Sequence, residues 1–271
     1  MARRGDRAVA CDLLAPGAVE ALVAAHEPQA IVHLAALAAL PACERDPALA
    51  QRINVDATQR LARCAARAGA HFVLFSTDQV FAGDRDWSDR ERPGYVESDA
   101  PRPLHAYGRS KVAAEAAVLA SGAEALVLRT ALVLAPSAAG TSGALDFVRA
   151  APAGAPIRLF TDEWRTPIVV TELAEWLDAA LARRMTGTLH AAGAERVDRL
   201  TLGRAIDAAF PLPAPTPPRL LVAASQSELC GARPRDVALA STRRAEAGLP
   251  LPAPLSQALV RLREWLASRP A

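Results

Sequence analysis

Tyr107 and Lys111 stand four residues apart in AYGRSKVAAE, Ala106–Glu115. Lys111 is the only lysine among the 31 Lys and Arg residues of the chain, and Tyr107 is one of two tyrosines. On a helix, residues i and i+4 stack on one face. A free phenol has a pKa of about 10, and an ammonium beside it favours the phenolate. The pair is therefore expected to give or take a proton near neutral pH, with Lys111 making the phenol more acidic. Arginine, a broad rigid fork, does not replace that compact charge. The plain alternative is a half-buried aromatic next to a solvated lysine. One lysine in an arginine-rich chain, at this spacing, favours the chemical reading.

Strands and helices must bring these side chains to one place. Ala8–Cys11 reads as a short strand ending at Asp12, and Pro16–His26 has helical spacing. Ile31–Leu34 is an apolar strand opening onto Ala35 and Ala36. Asp46-Pro47 signals a capped helix start, and Gly69 its end. His71–Phe75 is a third strand, running into Ser76, Thr77 and Asp78. A polar loop, 82–104, precedes the helix of Tyr107 and Lys111, and Leu126–Leu134 is a fourth strand. Helices are expected over Ala144–Ala150, Glu172–Met185 (capped by Thr171) and Pro254–Ser268, and short strands over Ile157–Phe160, Ile168–Val170 and Thr188–Ala192. Pro211–Pro218 is expected to be loop. This alternation predicts an α/β fold, a doubly wound, mostly parallel sheet over 1–150 with a smaller α+β lobe over 151–271. Ligands in such sheets lie at the carboxyl ends of the strands.

Composition narrows the function classes. Of 271 residues, 51% are hydrophobic and 22% charged, which is globular and not disordered. A net charge of +2 gives no electrostatic case for nucleic acid or an anionic membrane. Cys11, Cys43, Cys64 and Cys230 are widely spaced, without a CxxC, and read as thiols of a reducing, cytoplasmic setting with no metal site. No apolar run is long enough to span a bilayer, and MARRGDR lacks the apolar core of a signal peptide.

Seven segments together resemble the extended short-chain dehydrogenase/reductase family, and within it the dTDP-4-dehydrorhamnose reductase branch. They are IVHLAAL (Ile31–Leu37), CERDPALAQRINVDAT (Cys43–Thr58), FVLFSTDQVF (Phe72–Phe81), YGRSKVAAE (Tyr107–Glu115), LVLRTALVL (Leu126–Leu134), TDEWRTPIVVTELA (Thr161–Ala174) and RPRDVAL (Arg233–Leu239). The resemblance implies a Rossmann-like sheet, NADPH or NADH as cofactor, a 4-keto nucleotide sugar as substrate and a possible homodimer. It implies a catalytic set of Thr77, Tyr107 and Lys111. It places Asp12, Leu34, Ala35, Ala36, Ser76, Tyr107, Lys111, Thr130 and Ala131 on the cofactor, and Asp78, Gln79, Trp164, Arg165 and Arg233 on the substrate. Gln79 departs from the aromatic residue usual after the STD motif.

The glycine turn that lets backbone amides approach a pyrophosphate is not in the sequence, since only Gly5 and Gly17 precede Ile31. Ala8–Asp12 therefore aligns with the family's third strand, and a βαβ unit on the order of forty residues is expected to be missing ahead of it. A chain that starts late and a protein that has lost the cofactor cradle both account for this. Two other activities stay open on the same fold: a non-catalytic subunit, like the regulatory partners of methionine adenosyltransferase, and a nucleotide-sugar epimerase or dehydratase that retains NAD.

Overall fold

The computed structural model describes residues 9–85, 94–136, 143–151, 154–212, 216–228 and 233–268. Residues 9–12 carry no strand, so the predicted Ala8–Cys11 strand does not form over its described part. Helix α1 (Ala18–His26) begins behind Gly17 and leads into β1 (Ala30–His33). A helix not foreseen in the sequence, α2 (Leu40–Arg45), follows. Asp46 caps α3 (Pro47–Ala50), accepting a hydrogen bond from the Leu49 amide at 2.8 Å. A π-type turn, Gln51–Asp56, joins it to α4 (Ala57–Ala68), which Gly69 closes at a φ of 65°. The predicted helix therefore has both its ends where the caps put them, with a widened turn inside.

Strand β2 (His71–Thr77) and helix α5 (Ala106–Leu119) form as expected. The predicted fourth strand is split. β3 (Ala125–Thr130) stops, and β4 (Val133–Leu134) leaves the sheet to pair with Ile168–Val169. Then come α6 (Gly143–Arg149), β5 (Pro156–Phe160), β6 (Trp164–Arg165), β7 (Ile168–Val169) and α7 (Val170–Ala182). α7 starts one residue before Thr171 with no side-chain cap, so Thr171 sits inside it. The chain ends with β8 (Gly187–Ala191), β9 (Val197–Asp198), α8 (Arg199–Ala209), β10 (Leu220–Ala224) and α9 (Leu255–Ala267).

The main sheet runs β1-β2-β3-β8, all parallel. Alternate residues of its strands face opposite layers. Phe72, Leu74 and Val127 pack on α1, α4 and α5, while Val73, Leu126 and Leu128 pack on Leu173 and Trp176 of α7. β2 and β3 are buried on both faces, and this fixes where their carboxyl ends, Thr77 and Thr130, must emerge. β1 is paired on one side only among the described residues, and its Ile31 and Val32 stay half-buried. A smaller lobe packs α6, α8 and α9 around Leu145, Ile206 and Leu259. Among the described residues, no helix is long and apolar enough to cross a membrane. Cys230 lies outside the described residues; Cys11, Cys43 and Cys64 are free thiols.

Candidate active site

α5 is held at its first turn from two sides. His105 caps it, its Nδ1 accepting from the Gly108 amide at 3.0 Å. The Glu44 carboxylate accepts from the Ala106 amide at 2.6 Å. Gly108 is needed for close approach: a Cβ there would meet Pro103 Cβ at 2.7 Å and come closer still to the Gln79 carbonyl oxygen. Tyr107, partly buried, thus enters the site against the loop that follows β2.

The Thr77 side chain stands close enough to the Tyr107 phenol to favour its ionised form, the proximity on which the predicted catalytic set depends. Lys111 lies one turn further on, 3% exposed, and its Nζ donates to the Phe75 carbonyl at 2.7 Å. The proton affinities differ from the expectation drawn from spacing. Burial first, and then the Asp78 carboxylate, push the Tyr107 phenol up to about 12, against the pull of the Thr77 side chain. Burial pushes the Lys111 ammonium down to about 8, with Glu115 opposing. The phenol is therefore not made acidic by its lysine. It is a firmly protonated donor beside a buried cation.

Thr77 Oγ1 donates to Asp78 Oδ1 at 3.2 Å and accepts from the Gln79 amide at the same distance. The buried Asp78 also accepts from Gln79 Nε2 at 3.1 Å and faces Arg165 Nε at 3.5 Å. Burial raises its carboxyl and Arg165 pulls it back. Gln79 and Arg165, both expected on the substrate, are thus each held to Asp78 within the protein. Arg165 is 4% exposed, pairs with Glu163 at 3.1 Å and donates to the Trp164 carbonyl at 2.7 Å. Ser76, expected on the cofactor, turns its hydroxyl to Glu115. Thr130 donates to the Ser76 carbonyl at 3.1 Å, and the Ala131 amide to the Ala191 carbonyl at 3.0 Å, which fixes the end of β3.

The remaining predicted residues lie on two sides of this centre. Leu34 is 63% exposed, Ala35 is exposed and Ala36 half-buried beyond the carboxyl end of β1. Asp12 is exposed and caps a turn through the Leu14 amide at 2.9 Å. In the smaller lobe, a cavity of about 390 Å³ lies between α6, β5 and α8. Arg158, Glu163, Arg199 and Arg233 ring it above Leu132 and Ile206. Trp164 is outside that lining, with the Arg196 guanidinium 4.1 Å over its ring.

The sequence profile of the RmlD substrate binding domain matches residues 2–265. The chain belongs to the RmlD substrate binding domain family. This member is 33% identical over 243 residues to dTDP-4-dehydrorhamnose reductase of Mycobacterium tuberculosis (strain CDC 1551 / Oshkosh), covering 82% of this chain and 77% of the relative. It is 31% identical over 246 residues to methionine adenosyltransferase 2 subunit beta of Bos taurus, covering 88% of this chain and 70% of the relative. Its fold matches a crystal structure of dTDP-4-dehydrorhamnose reductase from Bacillus anthracis str. Ames in complex with NADP, at a TM-score of 0.81 and 22% identity, over 95% of this chain and 87% of the other.

This RmlD-family chain also uses residues that spacing alone did not single out. Asn54, buried in the π-type turn, accepts from the Leu37 amide at 2.7 Å and donates to Ser110 Oγ at 2.9 Å, tying the end of β1 to α5. Its signal was an asparagine inside a helix, where that side chain is out of place unless it bonds elsewhere. His33 Nε2 donates to Thr58 Oγ1 at 2.9 Å, and Thr58 donates to the Asn54 carbonyl at 2.8 Å. Burial, with Lys111 nearby, lowers the His33 ring to about 4. Glu115 continues the Tyr107–Lys111 stripe by four more residues and pairs with buried Arg129, Nη2 to Oε2 at 2.7 Å.

Proposed function

We propose that this chain reduces the ketone of a 4-keto nucleotide sugar with NADPH or NADH. The observation that carries this reading is the Tyr107–Thr77 contact at the carboxyl end of β2, with buried Lys111 on the same face of α5. The donor set fits a nicotinamide ribose. Lys111 gives one of its three N–H groups to Phe75, one turn of α5 beyond Tyr107. Tyr107 and Lys111 are assigned to that ribose, the ends of β2 and β3 at Ser76, Thr130 and Ala131 to the nicotinamide side, and Leu34, Ala35, Ala36 and Asp12 to the remainder. The bound cofactor supplies the hydride.

The chain's own part is placement and proton transfer. Tyr107, held protonated, donates to the oxygen of the ketone as charge develops on it, because an alkoxide is a stronger base than a phenolate. Thr77 redirects its hydroxyl from Asp78 to the same oxygen and stabilises charge where it appears. The diphosphate is assigned to the cavity ringed by Arg158, Arg199 and Arg233 in the smaller lobe, and the cofactor to the lobe of the main sheet, which takes α7 and β8 from beyond residue 150 while α6, before it, joins the smaller lobe. Buried free thiols support a reducing, cytoplasmic setting.

A second reading rests on the 31% identity to the bovine methionine adenosyltransferase 2 subunit beta: a non-catalytic regulatory or binding subunit of the same fold. Incubation with NADPH and a dTDP-4-keto-6-deoxy sugar separates the readings. A product heavier by two hydrogens, with one NADPH consumed for each, is the expected result. Binding of NADPH with no consumption supports the second reading. A product of unchanged mass identifies an epimerase and refutes the proposal.

A further inference from the structure

Between the loop after β2 and the first turn of α5, the polar groups form a chain whose direction is fixed. The Gly108 amide can only donate, so His105 Nδ1 is the acceptor, at 3.0 Å. The ring proton then lies on Nε2, 3.0 Å from Gln79 Oε1. That orients the Gln79 amide so that its Nε2 donates to Asp78 Oδ1 at 3.1 Å. The Gln79 backbone amide donates in turn to Thr77 Oγ1 at 3.2 Å. The His105 ring also stacks on Tyr107, with centroids 6.2 Å apart and planes 18° from parallel. One imidazole thus touches the tyrosine ring, caps its helix and reaches the threonine loop.

We propose that His105 and Gln79 are the positioning residues of this site, the neutral imidazole holding the Tyr107 phenol in register with Thr77. Its catalytic meaning rests on the reductase reading; the chain of contacts does not. A second ring proton would sit on Nδ1, so a protonated His105 cannot accept from Gly108 and the cap opens. The charged groups that face the ring are Glu44 from α2, which favours protonation, and Arg109 from α5 and Arg165 from β6, which oppose it. Asp78 stands beyond Gln79. Burial is the largest influence and keeps the ring neutral below the ordinary imidazole range. Gln79 is what carries the ring's state to the Thr77 loop.

The two tyrosines make this readable without turnover. Protein labelled with ¹³C-tyrosine gives two ring signals, assigned by Tyr107→Phe. On acid titration, the Tyr107 signal is expected to move with the same midpoint as the His105 ring protons, below the ordinary imidazole value. In His105→Asn, which keeps a cap but no titrating ring, that step is expected to vanish. Gln79→Met, of similar volume, is expected to lower kcat about tenfold or more with little change in KM, because it misplaces a proton donor and removes no substrate contact. A Tyr107 signal that ignores the titration of His105 in the wild type, or keeps its step in His105→Asn, overturns the proposal. If His105→Asn does not fold, the wild-type co-titration decides alone. If the wild type does not turn over, the reductase reading fails while the NMR result still judges the positioning pair.

Discussion

Arg165 Nε and Asp78 Oδ2 lie 3.5 Å apart, both side chains buried, with Asp78 next in sequence to Thr77. Arg165 also holds Glu163 at 3.1 Å, and Glu163 accepts from Arg199 Nε at 2.7 Å, so charges of alternating sign run from the hydroxyl site to the cavity wall. Removing the cation leaves a buried carboxylate unpaired. Arg165→Met is expected to cost about 3–5 kcal/mol in urea unfolding, and adding Asp78→Asn to recover most of it. Equal losses in the single and double variants would show that the two charges do not support each other.

Acid stability should depend on His33. The unfolded ring takes a proton near 6.5 and the folded ring only near 4. Between those values the unfolded chain binds more protons, so stability falls as pH drops through that window, by about 3 kcal/mol from this residue alone. Comparing urea midpoints at neutral and acid pH for the wild type and His33→Gln tests this. The variant is expected to show the shallower decline.

Lys111 should act at the other end of the pH scale. Its folded value of about 8 lies below the ordinary 10.5, so the unfolded chain again holds the extra proton, and stability rises from pH 8 upward. Lys111→Met lacks that rise. Between pH 8 and 10 the wild type is expected to gain about 2–3 kcal/mol relative to the variant. Tyr107 does not obscure this window, because its shift, from 10.0 to about 12, takes effect above it.

Gly108→Ala tests how tightly α5 is seated. The added methyl runs into the Gln79 backbone and Pro103, neither of which is a flexible side-chain end. A stability loss of about 1–3 kcal/mol is expected, with a larger proportional fall in kcat than in cofactor affinity, because the Tyr107–Thr77 contact moves. Unchanged kinetics would separate the packing of this turn from the chemistry.

The sheet, and the placing of Thr77, Tyr107 and Lys111 at one end of it, were legible because their signals are local. Asp46-Pro47 and Gly69 mark helix ends by backbone chemistry, and β2 is apolar from Phe72 to Phe75. Tertiary partners were not legible. Nothing in Leu126–Leu134 says that Val133 leaves the sheet for Ile168, since the chain is apolar again directly after Arg129 and Thr130. Arg165 reads as a substrate-side residue, and nothing local shows that Asp78 and Glu163 close around it. The Tyr107–Lys111 spacing was read as acidifying because spacing carries no burial. Once the site is desolvated, burial of the phenol outweighs the neighbouring charge.

The central claim is that the Tyr107 phenol delivers the proton. Hydride transfer from NADPH to a dTDP-4-keto-6-deoxy sugar, measured in a single turnover at neutral pH, tests it for the wild type against Tyr107→Phe. A fall of about a thousandfold, with the fold and NADPH binding retained, is expected. Turnover at near wild-type rate in Tyr107→Phe would contradict it.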